Sequence, residues 1–292
     1  MAELAVIGPG ALGSLFAARL FRGGVQTALI DYNPERADLL AREGILVEEK
    51  ERSWRAHPQV STVIPPSTSL ILILTKAYST DDLDLPGDIP ILTLQNGLGN
   101  AERLAERYDP ARILAGTTTE AVTWLAPGHI RHVAPGKTVF GSWSGCAAEP
   151  AYELFVKAGF DTTLSPNPRQ ALWNKLILNA AMNPLSALLN LRNGALAETP
   201  ESRQLLHALA TEAASVAQCE SYTIADDMPS LVEKACEASD DNISSMLQDI
   251  RNHKKTEIEA ISGEVLARAE KFGITVPYTR LVYHLVRALE SL

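Results

Sequence analysis

The feature that most restricts the fold lies at the very start of the chain. Residues 3–7 (E-L-A-V-I) read as a short buried strand, and G-P-G-A-L-G follows at once, opening an amphipathic helix that runs to about Arg22. Gly8, Gly10 and Gly13 thus form a G-x-G-x-x-G between a strand and a helix. The first glycine allows a tight turn, the second lets backbone approach a pyrophosphate, and the third lets the helix pack closely on the strand. The helix start adds unpaired amides and the positive end of its dipole. The spacing alone is often only a turn. In this context it makes the loop Gly8, Pro9, Gly10, Ala11, Leu12 and Gly13 a candidate dinucleotide cradle.

The rest of the first half agrees with such a sheet. A second strand over roughly 25–30 (V-Q-T-A-L-I) ends at Asp31, and N-P-E-R-A-D-L-L-A-R opens another helix. Apolar runs at 69–74 (S-L-I-L-I-L) and 89–94 (I-P-I-L-T-L) read as strands covered on both faces, as in a parallel sheet. Strands alternating with helices imply an α/β fold, a Rossmann-type doubly wound sheet. Between about 112 and 141, short β segments punctuated by glycine and proline suggest antiparallel strands extending that sheet. From about 167 onward helical periodicity takes over. The two prolines of S-P-N-P-R-Q (165–170) place the boundary there. The expected division is 1–166, dinucleotide-binding, and 167–292, an all-α substrate and catalytic domain.

Within the helical half, Lys175, Asn179 and Asn183 stand four residues apart in a stretch that is otherwise almost wholly apolar. Each step of four drifts only about 40° around a helix, so the three share one face. An amine and two carboxamides on a buried helix are costly unless something polar lies against them. A substrate would meet that need, and Lys175 is then the natural proton donor. Hydride delivered to a keto carbon leaves an alkoxide that a nearby ammonium stabilises and protonates. Asn183 precedes Pro184, so it could instead end or kink the helix.

Other candidates rest on position. Lys76 follows the strand at 69–74 and Asn96 (L-Q-N-G-L-G) follows the next, both at strand carboxyl ends, where open α/β sheets bind ligands. A solvated lysine and an ordinary Asn-Gly turn remain the bland readings. Asp31 suits a ribose 2′-hydroxyl and would repel a 2′-phosphate, which favours NAD over NADP. It could also simply cap the following helix, and Arg36 could swing toward a phosphate. Asn242, Ser245 and Asp249 are spaced for one helical face and could cradle a carboxylate or merely cap a helix. Glu257 could bond a substrate hydroxyl or the cofactor, or belong to a charged surface run.

Composition narrows the field. A net charge of −9 argues against nucleic acid as partner. The three cysteines show no C-x-x-C spacing and the six histidines no H-x-x-x-H pair, so no metal site is expected. No apolar run reaches the ~18 residues of a membrane span. With no basic leader before the first strand, the chain is expected to be cytoplasmic.

Taken together, G-P-G-A-L-G, Lys76, L-Q-N-G-L-G, G-T-T-T at 116–119, L-W-N-K-L-I-L-N-A-A-M-N-P-L and N-I-S-S-M-L-Q-D-I with T-E-I resemble the ketopantoate reductase (2-dehydropantoate 2-reductase) family, in order along nearly the whole chain. The resemblance implies a Rossmann domain, a helical domain and a substrate cleft between them. It implies NADPH-dependent reduction of 2-dehydropantoate to (R)-pantoate, a step of pantothenate and coenzyme A biosynthesis. Motif by motif, it makes Lys175 the proton donor and Asn179, Asn183, Asn193, Asn242 and Ser245 substrate contacts. It makes Glu257 an active-site acid near both substrate and nicotinamide, and Lys76, Asn96 and Val122 cofactor contacts. Two departures stand out. NADPH-using members usually carry an arginine just after the second strand, where this chain has Asp31-Tyr32-Asn33, so NADP is expected with NAD as the alternative. The segment from Lys76 to Asn96 is also short for a full crossover helix. The alternatives are a paralogue acting on another 2-oxo acid and a non-catalytic NAD(P) sensor. The aliphatic stretch at 184–191 could be core or a homodimer contact.

Overall fold

The computed structural model describes residues 3–292, and its contacts divide the chain into two compact units: Met1–Gln95 with Asn100–Ala171, and Asn96–Gly99 with Leu172–Leu292.

In the first unit the elements are β1 (Leu4–Ile7), α1 (Ala11–Arg22), β2 (Thr27–Ile30), α2 (Pro34–Glu43), β3 (Ile45–Glu48), β4 (Ser53–Ala56), β5 (Gln59–Ser61), β6 (Leu70–Ile73), β7 (Ile91–Thr93), α3 (Asn100–Arg107), β8 (Ile113–Thr118), β9 (Ala121–Ala126), β10 (His129–Ala134), β11 (Lys137–Ser142), α4 (Glu149–Lys157) and β12 (Asp161–Leu164). An eight-stranded sheet runs in the order β12-β11-β8-β7-β6-β1-β2-β5. All its pairs are parallel except β11 with β8. β1, β2 and β6 are fully buried, and apart from Thr27 at the start of β2 they are aliphatic throughout, the signature of a parallel sheet covered on both faces.

The stretch at 112–141 departs from expectation. Only β8 and β11 join the main sheet; β9 and β10 leave it to form a second sheet, ordered β4-β3-β10-β9. The reason lies in α1, where Gly13 through Ala18 and Leu20 are all buried. A helix apolar on both sides needs a second cover, and the smaller sheet packs against it opposite β1 and β2. The β9–β10 hairpin turns at Pro127-Gly128, with Gly128 at φ +70, and shifts register within β10.

The connection after β6 holds no crossover α-helix. A 3₁₀ segment, Ala77–Asp82, takes its place, as the brevity of 76–96 suggests. The buried Gln95 side chain ties this segment down, its Nε2 donating to the carbonyls of Thr75 and Lys76 and to the Thr80 hydroxyl at 3.1, 3.3 and 3.0 Å.

The second unit is built from α5 (Pro168–Leu189), α6 (Pro200–Cys219), α7 (Met228–Ala238), α8 (Ser245–Arg251), α9 (Glu264–Lys271) and α10 (Pro277–Leu289). The first turn of α5 belongs to the first unit by its contacts. A five-residue π-helical segment, Glu259–Gly263, leads directly into α9. Pro184 does not end α5, which continues to Leu189. A proline inside a helix removes one backbone donor, and burial of Leu185 and Ala187 around it holds the helix together.

Candidate functional site

The glycine loop is built as its spacing suggests. Gly8 has φ +109, a backbone region that L side chains rarely adopt, and a Cβ there would meet the Thr75 amide nitrogen at 2.7 Å. A Cβ on Gly13 would lie 1.8 Å from the Gly8 carbonyl oxygen, so only glycine lets α1 start this close to β1. At Gly10 nothing of the protein lies within 4 Å of an added Cβ. Packing therefore gives no reason for glycine at position 10. The absence of a side chain there leaves open space at the start of α1, which no side chain caps and whose first turn carries no acidic residue. The amides of Ala11, Leu12 and Gly13 are the first of that helix and suit a pyrophosphate. The residues present therefore fit a dinucleotide.

Asp31, at the end of β2, is 1% exposed. Arg36 grips its carboxylate with both ends of the guanidinium, Nη2 donating to Oδ1 at 2.7 Å and Nε to Oδ2. The Asn33 amide adds a third bond to Oδ1 at 3.0 Å. The cap of α2 is Asn33, whose side chain accepts from the Arg36 amide; Asp31 does not cap it. Arg36 is thereby committed to Asp31, a partnership that the sequence left open. Lys76, three residues past β6 and just before the 3₁₀ segment, is partly buried, its carbonyl held by Gln95. Val122 lies on β9 of the smaller sheet, half-buried against the core.

In the second unit three of the expected residues meet. The Lys175 ammonium donates to Asn96 Oδ1 at 2.8 Å, and Asn96 Nδ2 donates to Glu257 Oε2 at 3.2 Å. The carboxamide is oriented by its neighbours: its oxygen faces the cation and its NH₂ the carboxylate, the only assignment that pairs all three groups. Glu257 is 5% exposed, so it does not belong to a solvated charge run. Although the Lys175 residue as a whole keeps some exposed surface, its ammonium is buried. This desolvation pushes its pKa from 10.5 down to about 8, opposed only in part by the Glu257 charge. An ammonium near neutrality is the form that a general acid needs.

Asn179 and Asn183 continue the Lys175 face of α5, partly buried and 7% exposed respectively. Among the described residues no hydrogen bond engages either carboxamide, so both keep their capacity for a ligand. Asn193 is 9% exposed; its Nδ2 donates to Ser239 Oγ at 3.1 Å while its Oδ1 has no partner. Its amide donates to the Asn242 carbonyl at 2.9 Å, which joins these two distant candidates. Ser245 and Asp249, four apart in α8, share a helical face as their spacing suggested, whereas Asn242 lies outside it, because α8 begins only at Ser245. Ser244 caps that helix, its hydroxyl accepting from the Leu247 amide at 3.1 Å, which leaves the adjacent Ser245 hydroxyl free of the capping role. Sequence reading missed Ser244 as the cap, since two adjacent serines offer the same signature. It also missed the π segment beside Glu257, for which only the Ser262-Gly263 pair hints at irregularity.

A dinucleotide cradle on a Rossmann-type unit, together with a helical unit carrying a desolvated lysine bonded to an amide, defines a nicotinamide-dependent oxidoreductase. The comparisons narrow this further. The model described as Ketopantoate reductase PanE/ApbA matches residues 4–145, and the one described as Ketopantoate reductase PanE/ApbA C terminal matches residues 167–290. The 2-dehydropantoate 2-reductase of Halobacterium salinarum is 31% identical over 297 residues, covering 98% of each chain. Among solved structures, a PanE/ApbA family ketopantoate reductase from Ralstonia eutropha superposes with a TM-score of 0.89 at 28% identity, covering 99% of this chain and 98% of its own. A D-mandelate dehydrogenase in complex with NADH superposes with a TM-score of 0.87 at 25% identity, covering 99% of both chains. The chain belongs to the ketopantoate reductase family.

Proposed function

We propose that the chain reduces 2-dehydropantoate to (R)-pantoate, with Lys175 as proton donor. The observation that carries this reading is the buried chain Lys175–Asn96–Glu257, which holds a partly desolvated ammonium in place at near-neutral pH. When bound at the glycine loop, the reduced nicotinamide supplies the hydride that the keto carbon receives. Lys175 Nζ gives its proton to the keto oxygen, so that one hydride and one proton turn C=O into CH–OH, and the lysine then recovers a proton from solvent. Asn96 fixes the ammonium's direction, and Glu257 fixes Asn96. Asn179 and Asn183, with unengaged carboxamides on the same helix face, bind the substrate's oxygens. Asn193, Asn242 and Ser245 hold its carboxylate end. Glu257 and Asn96 would also serve the nicotinamide, and Lys76 and Val122 would help to hold the cofactor.

The same proposal assigns NADH as the preferred reductant over NADPH. Asp31 places a negative charge at the end of β2, which disfavours a 2′-phosphate there, and Arg36, the cation at hand for such a phosphate, is bound to Asp31 on two atoms. Steady-state oxidation of NADH and NADPH in the presence of 2-dehydropantoate tests both parts. Turnover with NADH at the higher kcat/KM is expected. Oxidation of neither cofactor removes the substrate assignment, and a preference for NADPH removes the role given to Asp31.

A second reading, reduction of a different 2-oxo acid, draws on the NADH-binding D-mandelate dehydrogenase neighbour together with Asp31. Pockets discriminate one methylene by only ~1–3 kcal/mol. Comparing kcat/KM for 2-dehydropantoate and phenyl-2-oxoacetate separates the two.

A further inference from the structure

The loop that carries Asn96 is held by an irregular helix. Asn96–Gly99 packs within the second unit, where the Leu98 amide donates to the Ala260 carbonyl at 2.9 Å. Ala260 lies in the π-helical segment Glu259–Gly263. A π turn breaks the regular i→i−4 ladder and is found mostly at functional sites. Here one of its carbonyls bonds an amide from outside the helix. Gly97, at φ +87, presses on the same spot: an added Cβ would meet the Ala260 oxygen at 2.2 Å and its carbonyl carbon at 2.7 Å. These contacts are backbone and cannot swing aside. The same segment begins two residues after Glu257, and Glu257 is fixed in turn by its neighbour Thr256, whose hydroxyl accepts from the Ile258 amide at 3.1 Å and whose own amide donates to Glu290 Oε1 at 2.7 Å. One short element therefore sets the position of both partners of the Asn96 carboxamide's bond to Glu257.

We propose that the π segment Glu259–Gly263 and Gly97 form a latch that positions the Asn96 carboxamide between Lys175 and Glu257, with Ala260 and Gly97 as positioning residues. The latch rests on the reading of Lys175 as proton donor. A Cβ at position 97 pushes the loop off Ala260 and draws Asn96 Oδ1 away from the ammonium, which then loses an acceptor that favours its charged form. Ala260→Gly acts at the same contact more gently, by removing the Ala260 methyl against which Gly97 is packed.

Gly97→Ala and Ala260→Gly, each in the native and the Asn96→Ala background, test this, with Gly87→Ala as control. Gly87 also has positive φ (+48), but nothing lies within 4 Å of an added Cβ, so it isolates the conformational penalty. The readouts are kcat on the 2-oxo acid that turns over best and, without cofactor or substrate, the NMR titration of Lys175 Nζ. Gly97→Ala is expected to lower kcat about tenfold or more and the lysine pKa by about half a unit or more, with Ala260→Gly following in the same direction. Gly87→Ala should change neither. In the Asn96→Ala background both latch variants should cost less than about twofold, because the group they position is gone. Equal losses in both backgrounds, or an unmoved lysine titration in the native one, overturn the latch. If Gly97→Ala does not melt cooperatively, Ala260→Gly decides by the same criterion. Normal turnover by Asn96→Ala and Lys175→Ala would instead refute the underlying proton-donor reading.

Discussion

Removing Lys175 should make the protein more stable while abolishing its reaction. The lysine releases its proton near pH 8 in the folded chain, against 10.5 for an ordinary lysine. A depression of this size corresponds to about 3 kcal/mol against the charged form, of which about 1–2 kcal/mol remains after the bond to Asn96 is counted. Lys175→Met keeps a similar length without a charge to desolvate, so its melting temperature should rise by a few degrees, at about 2–4 °C per kcal/mol for a domain of this size. The unfolded chain binds more protons than the folded one between pH about 8 and 10.5. Native stability therefore gains with pH across that window, and the Met variant should lose that gain. Activity moves the other way. Lys175→Met and Lys175→Ala should each lower kcat by roughly 10²–10⁴-fold. In the native enzyme the acid form is about nine-tenths populated at pH 7 and about one-tenth at pH 9 for a pKa of about 8, so kcat should fall along an alkaline limb. Calorimetric melts of the two chains from pH 7 to 10, beside kcat–pH profiles, supply the measurement. A Met variant that is less stable than the native protein at pH 7 would refute the desolvation reasoning.

The glycine loop separates packing from binding. Gly10→Ala should fold with unchanged stability yet bind dinucleotide about tenfold or more weakly, as read by cofactor fluorescence titration, because its Cβ meets only open space. Gly13→Ala should instead destabilise the first unit by about 2 kcal/mol or more, because its Cβ lies 1.8 Å from the Gly8 carbonyl. Asp31→Ala should release Arg36 and move the ratio of NADH to NADPH dissociation constants toward NADPH by about tenfold, measurable by calorimetry. Asn183→Leu should raise KM for the 2-oxo acid with little loss of stability, since that buried carboxamide has no hydrogen bond to lose among the described residues.

What was legible in the sequence followed local rules. The strand–glycine–helix start, the aliphatic runs of β6 and β7 and the all-helical second half could be read because each reports burial through its own period. The Lys175 face of α5 was legible for the same reason: three polar residues on an apolar helix break a pattern that the sequence itself establishes. The smaller sheet was not, because β10 pairs in parallel with β3 from some eighty residues away, and the half-buried side chains of β9 carry no alternation. Nor was the partner of Asp31, since Arg36 could equally swing toward a phosphate, or the fate of Glu257, whose T-E-I-E setting looks like surface although the fold buries it and bonds it to Asn96. Asn96 shows the limit most plainly. Its position after β7 suggested a strand-end residue of the first unit, while its loop packs with the second through backbone contacts that no side-chain pattern records.

The most direct measurement is isotope transfer from cofactor carrying deuterium at both nicotinamide C4 positions to 2-dehydropantoate, in the native enzyme and in Lys175→Ala. Pantoate carrying one deuterium at C2, formed by the native chain and reduced at least about a hundredfold in rate by the substitution, is the predicted result. Unlabelled product, or labelled product formed at the native rate without Lys175, would contradict it.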